Sequence, residues 1–165
     1  MVSAAATSLR DALEQKMKEL GETLEGMDEE DAARRPADGE WCCKEMLSHL
    51  MGDEGESFVT GLRRFVNEDT PLIGVVAGLP YYTPARQAMS LSELRAGVWR
   101  QYQEVADFIG SLSDEQLGRK GRVPLLKETP IGEYATLGQW AGAIINFHLM
   151  DHVGHMRKVR AALGK

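Results

Sequence analysis

Apolar residues recur along the first part of the chain at intervals of three and four positions, which is the spacing of an amphipathic helix. The first such stripe ends before Gly26 and consists of Leu9, Leu13, Met17, Leu20 and Leu24. After a polar linker that contains Pro36 and Gly39, a second stripe predicts a helix from about Cys42 to about Val66. That second stripe consists of Leu47, Leu50, Phe58, Leu62 and Phe65.

Two further helices begin at capping sequences. Ser90-Leu-Ser-Glu93 predicts the start of a third helix, and Thr136-Leu-Gly-Gln139 that of a fourth running to about Leu163. The stripe of the third helix consists of Leu91, Leu94, Val98, Tyr102, Val105, Ile109 and Leu112. No segment alternates strongly between apolar and polar residues as a half-buried strand does. We therefore predict an all-α protein, a four-helix bundle.

The connection between the second and third helices is long and unusually apolar. Residues 68–89 read EDTPLIGVVAGLPYYTPARQAM, with three prolines, two glycines and two tyrosines. Long connections of this kind are often functional loops, but an apolar loop also needs covering, so a packed crossover is equally compatible with the sequence.

Composition and charge narrow the class of protein. A length of 165 residues predicts a single domain, residues 1–165. The net charge of −6 argues against a nucleic-acid partner, which favours basic surfaces. We find no signal peptide and no apolar run suited to a membrane span, and the two cysteines, Cys42 and Cys43, are adjacent and cannot join distant segments. These features predict a soluble, cytoplasmic protein.

Three of the four histidines lie within twelve residues, INFHLMDHVGHM, on the predicted fourth helix. With Ile145 and Val159, His148, His152 and His155 step by three and four, which predicts an inward-facing stripe of the bundle. A buried polar group without a partner costs about 1–3 kcal/mol, so each ring needs one. A neighbouring group or a water could satisfy each ring, but a shared divalent metal satisfies all of them at once, and we favour the metal.

Several known kinds of metal site do not match. HLMDH has Leu149 where HExxH needs glutamate, and no Glu-x-x-His pair of the ferritin-like di-iron proteins occurs. The fourth histidine, His49, follows the predicted start of the second helix. A mononuclear site with three histidines and an open position remains.

At these residues the chain resembles the DinB/YfiT-like superfamily of metal-dependent enzymes. GEWCCKEMLSHL is similar to the family's Trp-[Ser/Thr]-x-x-Glu-x-x-x-His segment, and TLGQWAGAIINFHLMDHVGHM to its final helix with His-x-x-x-His. The resemblance implies a bundle in up-down-down-up order, often dimeric, with His49, His148 and His152 as metal ligands. It also implies that Zn²⁺, or else Ni²⁺, Fe²⁺ or Mn²⁺, is the cofactor.

Two residues near these ligands depart from the family pattern. Asp151 stands where a second histidine is common, and His155 where glutamine is common. We expect both to support the ligands, although His155 could also be an extra ligand or a core residue.

The expected activity is hydrolysis or group transfer on a small molecule, with a water or a low-molecular-weight thiol activated by the metal. Asp53 and Glu56 follow His49 at helical spacing and could act as bases, or they could simply face solvent. Residues expected around the pocket are Trp41, Tyr81, Tyr82 and Arg86. The alternative is a non-catalytic, dimeric stress or ligand-binding bundle with a vestigial site.

Overall fold

The computed structural model describes residues 1–165, and most of them are helical. The helices are α1 (Ala4–Thr23), α2 (Glu29–Ala33), α3 (Cys43–Met51), α4 (Phe58–Asn67), α5 (Pro84–Gln87), α6 (Leu91–Gly110), α7 (Asp114–Leu117), α8 (Leu137–Ala143) and α9 (Met150–Ala162). A π-helical segment, Ile144–Leu149, joins α8 to α9 without a break, and Pro124–Leu126 form a single 3₁₀ turn. No helix combines the length and the apolar character that crossing a bilayer requires.

Four long helical elements enclose the core. α1 packs against α6 and against α9, and α3 packs against the same two helices, so the four form a closed ring of neighbours. The predicted stripes supply the interior: Leu13 and Leu20 of α1 and Val98 and Ile109 of α6 are almost completely buried. The predicted four-helix bundle is confirmed. The up-down-down-up order and the single-domain organisation stay predictions.

The capping sequences of the third and fourth predicted helices are confirmed as well. Ser90 Oγ accepts from the Glu93 amide at 3.1 Å, and Glu93 Oε2 accepts from the Ser90 amide at 2.7 Å. Thr136 and Gln139 exchange the corresponding two bonds at the start of α8. Each pair satisfies backbone donors that the first turn of a helix leaves free, which is why these sequences mark helix starts.

The second predicted helix is interrupted. It was expected to run from about Cys42 to about Val66, but α3 ends at Met51 and α4 begins at Phe58. Gly52 has φ +74°, and a Cβ there would lie 3.1 Å from the Phe58 ring, so a side chain at this position would be strained by the backbone and crowded by the ring. The break ends the helix two residues after His49 and leaves residues 52–57 as a loop.

A small sheet that was not predicted anchors the long connection. β1 (Lys120–Arg122) pairs antiparallel with β2 (Tyr134–Thr136), and Leu72 of the connection bridges to Arg122. The Ile73 amide donates to the Arg122 carbonyl at 2.8 Å, and the Arg122 amide donates to the Pro71 carbonyl at 2.8 Å. Strands of three residues are too short to show the alternation by which a sequence predicts a strand.

Candidate metal centre

The first histidine of the candidate site is held by a fully buried helix. All residues of α3 from Cys43 to Leu50 are buried. Glu45 Oε2 accepts from the Cys42 amide at 2.9 Å, and the Glu45 carboxylate also pairs with Arg35. His49 is 8% exposed, and its Nδ1 lies 2.6 Å from the Leu79 carbonyl oxygen. Because a carbonyl oxygen only accepts, Nδ1 carries the hydrogen, and the lone pair is on Nε2.

The other two histidines come from the last helix, where its winding changes. His148 lies in the π-helical segment, and His152 lies in the first turn of α9. A π-helical turn closes with i→i+5 hydrogen bonds, so it changes the direction of the side chains after it relative to a regular α-helix. Short π-helical segments occur frequently at functional sites.

The residues that face the core on this helix differ from those of the predicted inward-facing stripe. The buried stripe of this helix consists of Ile145, Leu149, Val153, Met156 and Val159. His148, His152 and His155 are half-buried and lie beside that stripe rather than in it. The histidines therefore border the core and are reachable from its edge, which suits a site with an open position better than complete burial does.

His49, His148 and His152 come together. The ring centroids of His49 lie 5.1 Å from His148 and 4.8 Å from His152, and those of His148 and His152 are 4.6 Å apart. One potential ligand atom of each ring lies within 4.8 Å of the others. These are the three residues that the sequence singled out as ligands, and that role stays a prediction. His155 does not belong to this group.

All three imidazoles are neutral at pH 7. Desolvation lowers the pKa of His49, although the hydrogen bond to Leu79 opposes the shift. Burial, helped by the charge of His49, lowers the pKa of His148 to about 4, while Asp151 opposes that shift. Burial and the neighbouring histidines lower the pKa of His152 to about 3. Neutral imidazole is the form that binds metals, so a cation has few protons to displace.

One buried nitrogen of the cluster has no partner. His152 Nδ1 makes no hydrogen bond, whereas a buried polar atom normally has at least one. Three neutral nitrogen donors from two helices, with one ring left unsatisfied, are a donor set that fits a divalent cation such as Zn²⁺.

A cleft of about 640 Å³ is formed by the loop before α3 and one face of α9, and none of the three histidines lines it. It is lined by Gly39, Glu40, Trp41, Met150, Asp151, Gly154, His155 and Lys158. The Trp41 ring connects the two features, because it lines the cleft and its centroid lies 5.1 Å from that of His49. Trp41, Asp151 and His155 thus line the same cleft, and their roles in the site stay predictions.

Asp53 and Glu56 face solvent, which is the alternative to a role as bases. Both were placed on the same face of a helix as His49, but that helix ends at Met51, and both residues are exposed in the following loop. Asp53 Oδ1 accepts from the Glu54 amide at 2.8 Å. Neither carboxylate joins the histidine group or lines the cleft.

Arg86 also differs from the expectation that it rims the pocket. It is 5% exposed, and its Nη1 donates to the Ser48 carbonyl at 2.8 Å, so the guanidinium is buried against α3. Tyr81 approaches α3 through its carbonyl oxygen, which accepts from Ser48 Oγ at 2.9 Å. Tyr82 packs against the core, and burial raises the pKa of its hydroxyl. None of the three residues lines the cleft.

The two cysteines are buried at the start of α3. Burial raises the pKa of Cys42, and it raises the pKa of Cys43 to about 12. Both thiols are therefore protonated near neutral pH and are poor nucleophiles. Their burial is consistent with a structural role in packing the start of α3.

Sequence reasoning missed most residues of the cleft. Met150, Gly154 and Lys158 follow one another at steps of four, and Asp151 and His155 do the same, so helical spacing could have indicated this face. Glu40 and the Leu79 carbonyl gave no such signal. Both approach the site from loops, and no local pattern predicts which helix a loop contacts.

The chain resembles known proteins in sequence and in fold. The sequence model of the DinB superfamily matches residues 12–156. The structure is similar to that of YfiT from Bacillus subtilis, described as a probable metal-dependent hydrolase with an unusual four-helix bundle topology. That likeness has a TM-score of 0.78 at 19% identity and covers 99% of this chain and 91% of the other. No curated protein matches the chain significantly. Because the family match spans most of its length, the chain belongs to the DinB superfamily.

Proposed function

We propose that the protein is a metal-dependent enzyme that holds a divalent cation, Zn²⁺ in the first instance, with His49, His148 and His152. The observation that carries the proposal is the meeting of three neutral imidazoles from two helices within 4.8 Å. Bound there, the cation would lower the pKa of a water or thiol and so provide a nucleophile near neutral pH. Ni²⁺, Fe²⁺ and Mn²⁺ are the alternatives to Zn²⁺.

The residues around the histidines suit this role. The Leu79 carbonyl keeps the hydrogen of His49 on Nδ1, which leaves Nε2 free to bind. The Trp41 ring lies against the His49 ring, with centroids 5.1 Å apart, and it also lines the cleft. His148 and His152 are half-buried at the edge of the core, and Asp151 and His155 of the same helix line the cleft.

The substrate is proposed to be a small molecule that binds in the cleft of about 640 Å³, which falls within the size range of small-molecule sites. Trp41 and Met150 offer apolar surface to it. Glu40 and Asp151 offer carboxylates, and Lys158 offers an ammonium group. The proton acceptors that line the cleft are the two carboxylates and His155, so we propose these, rather than Asp53 and Glu56, as candidate bases.

The proposed reaction is hydrolysis, if water is the nucleophile, or transfer to a low-molecular-weight thiol. The description of YfiT as a probable metal-dependent hydrolase supports the first form. Transfer to a thiol is proposed from the resemblance to the family. Screening esters, amides and reactive electrophiles with and without added thiols distinguishes them, because only transfer requires the thiol.

Metal binding by matched variants tests the proposal. The wild type and the His148→Ala and His155→Ala variants are produced in metal-supplemented medium and analysed for metal. We expect about one cation per chain in the wild type and in His155→Ala, and a large loss in His148→Ala. His155 is a suitable control because it lies on the same helix, is half-buried and is outside the histidine group. A wild type without metal would favour the alternative of a non-catalytic binding bundle.

Three further expectations from the sequence remain part of the proposal. They are a homodimer, a cytoplasmic location and the absence of a nucleic-acid partner. Sedimentation of the purified chain tests the dimer, and the net charge of −6 supports the last expectation.

A further inference from the structure

A buried arginine ties the long connection to α3 directly beside His49. The Arg86 guanidinium donates through Nη1 to the Ser48 carbonyl at 2.8 Å, to Ser48 Oγ at 3.3 Å and to the Tyr81 carbonyl at 3.4 Å. Its nearest carboxylate, on the half-exposed Glu54, is 3.8 Å away. Since burying a charge is costly unless the charge is paired and hydrogen-bonded, the backbone acceptors are what keep this arginine inside.

The segment that Arg86 holds is strained. Tyr81 has φ +48°, a conformation that is uncommon for a residue other than glycine. Its carbonyl accepts from Ser48 Oγ at 2.9 Å and from the Thr83 amide at 3.0 Å, in addition to Arg86. Strained residues persist only where their surroundings determine the conformation, and they cluster at functional sites. Ser48 and Arg86 provide such surroundings from two different elements.

The same segment carries the acceptor that orients His49. Leu79 lies two residues before Tyr81, and its carbonyl accepts the Nδ1 hydrogen of His49 at 2.6 Å. Pro80 stands between them, and a residue before proline is restricted to extended backbone conformations. The short distance from the clamped Tyr81 to Leu79 therefore leaves the Leu79 carbonyl little freedom to move away from His49.

We propose that Arg86 is a positioning residue for His49. By holding the Tyr81 carbonyl against Ser48, it keeps the Leu79 carbonyl on Nδ1 and so selects the form of His49 with a free Nε2. Its relevance to metal binding rests on the proposed function, but the form of His49 does not. Partners that orient a ligand in this way typically change metal affinity by 10- to 100-fold when they are removed.

Two conservative changes and one control variant make the test. Arg86→Met removes the donors but keeps apolar volume, and Ser48→Ala removes only the hydroxyl that donates to Tyr81. Arg119→Met is the control, because Arg119 also braces a loop through backbone acceptors, those of Phe65 at 2.6 Å and Glu68 at 2.7 Å, away from the histidines. The wild type and all variants are compared as full-length folded chains.

The first readout is the position of the imidazole hydrogen in metal-free protein, obtained from the ¹⁵N chemical shifts of His49 at pH 8. We expect Nδ1–H in the wild type and in Arg119→Met. In Arg86→Met we expect a mixture of both forms, and in Ser48→Ala a smaller shift in the same direction.

The second readout is Zn²⁺ affinity, measured by competition with a chelator. We expect binding about 10- to 100-fold weaker in Arg86→Met, a smaller loss in Ser48→Ala, and no change in Arg119→Met. An Arg86→Met protein that is folded, keeps Nδ1–H on His49 and binds Zn²⁺ as the wild type does would overturn the inference. If the wild type does not bind Zn²⁺, the proposed function fails, and the ¹⁵N comparison still decides the role of Arg86. If Arg86→Met does not fold, Ser48→Ala decides it, since a His49 unchanged in both readouts in that variant contradicts the clamp.

Discussion

The two helical elements that supply the histidines differ in how firmly packing and hydrogen bonds hold the imidazole rings in place. α3 is buried from Cys43 to Leu50, and His49 has a hydrogen-bond partner in the Leu79 carbonyl. The last helix is irregular where His148 lies, and Phe147 and Met150 beside it are 61% and 48% exposed. His152 Nδ1 has no partner at all.

The difference indicates that the position of His49 is fixed before a cation binds, whereas those of His148 and His152 become fixed when it binds. Packing and a carbonyl fix His49 before anything binds. His148 and His152 are crowded, neutral and incompletely satisfied, so a bound cation would stabilise their positions more than it stabilises that of His49. The stability of single-histidine variants and its dependence on pH test this contrast between α3 and the last helix.

The largest expected effect is the loss of metal binding on removing one histidine from either side. We expect His49→Ala and His152→Ala each to weaken Zn²⁺ binding about 100-fold or more, since a structural zinc site shares ~10–16 kcal/mol among four ligands. Chelator competition measures the affinities. If either variant keeps the Zn²⁺ affinity of the wild type, the substituted histidine is not a ligand.

The same two variants should differ in stability without metal. His49→Ala removes the donor to the Leu79 carbonyl and should lower the free energy of unfolding by about 1–3 kcal/mol. His152→Ala also removes a buried nitrogen that has no partner, so its loss should be smaller. Urea unfolding of the metal-free proteins measures both, and equal losses would contradict the contrast.

Acid should destabilise the metal-free protein through its buried histidines, and most strongly through the two of the last helix. The ordinary histidine pKa of 6.5 falls to about 4 for His148 and about 3 for His152, so below pH 6.5 the unfolded chain binds protons that the folded chain does not. Stability should therefore decrease as the pH falls from about 6.5 towards 3.

The window between about pH 6.5 and 5 isolates this effect, because carboxylates titrate mostly below it. Urea unfolding at several pH values should show the decrease in the wild type and a weaker one in a His148→Asn/His152→Asn double variant. The same slope in both proteins would mean that these histidines are not the cause.

The smallest expected effect concerns Gly154 on the face of α9 that lines the cleft. An added Cβ at Gly154 meets no atom within 4 Å, and the same is true of Gly61 in α4, which makes Gly61→Ala a matched control. Either change to alanine should stabilise the fold by about 0.5–1 kcal/mol.

Only Gly154→Ala narrows the cleft, so it alone should raise KM for a cleft-bound substrate. Unaltered KM in Gly154→Ala would place the substrate elsewhere.

The sequence predicted the elements well where local chemistry determines them. The apolar stripes and the paired caps of Ser90 with Glu93 and Thr136 with Gln139 involve residues close in the chain, so their spacing is sufficient to identify them. The grouping of His49 with His148 and His152 was also expected, from the family resemblance.

Features that depend on distant contacts were not predictable in this way. The break at Gly52 depends on φ and on the Phe58 ring, and it moved Asp53 and Glu56 off the helix. The histidines lie at the edge of the core on a helix that contains a π-helical segment, and no spacing rule anticipates such a segment. Arg86 was expected at the pocket, and its burial against α3 was not predictable because its acceptor on Ser48 is 38 residues away in sequence.

The most direct test of the central claim is X-ray absorption spectroscopy of the Zn²⁺-loaded protein, compared between the wild type and a variant in which His49, His148 and His152 are all alanine. The account predicts one Zn²⁺ per wild-type chain with three imidazole nitrogens at about 2.0–2.1 Å, and no tightly bound Zn²⁺ in the variant. A wild-type spectrum without imidazole ligands, or the same spectrum in both proteins, would contradict it.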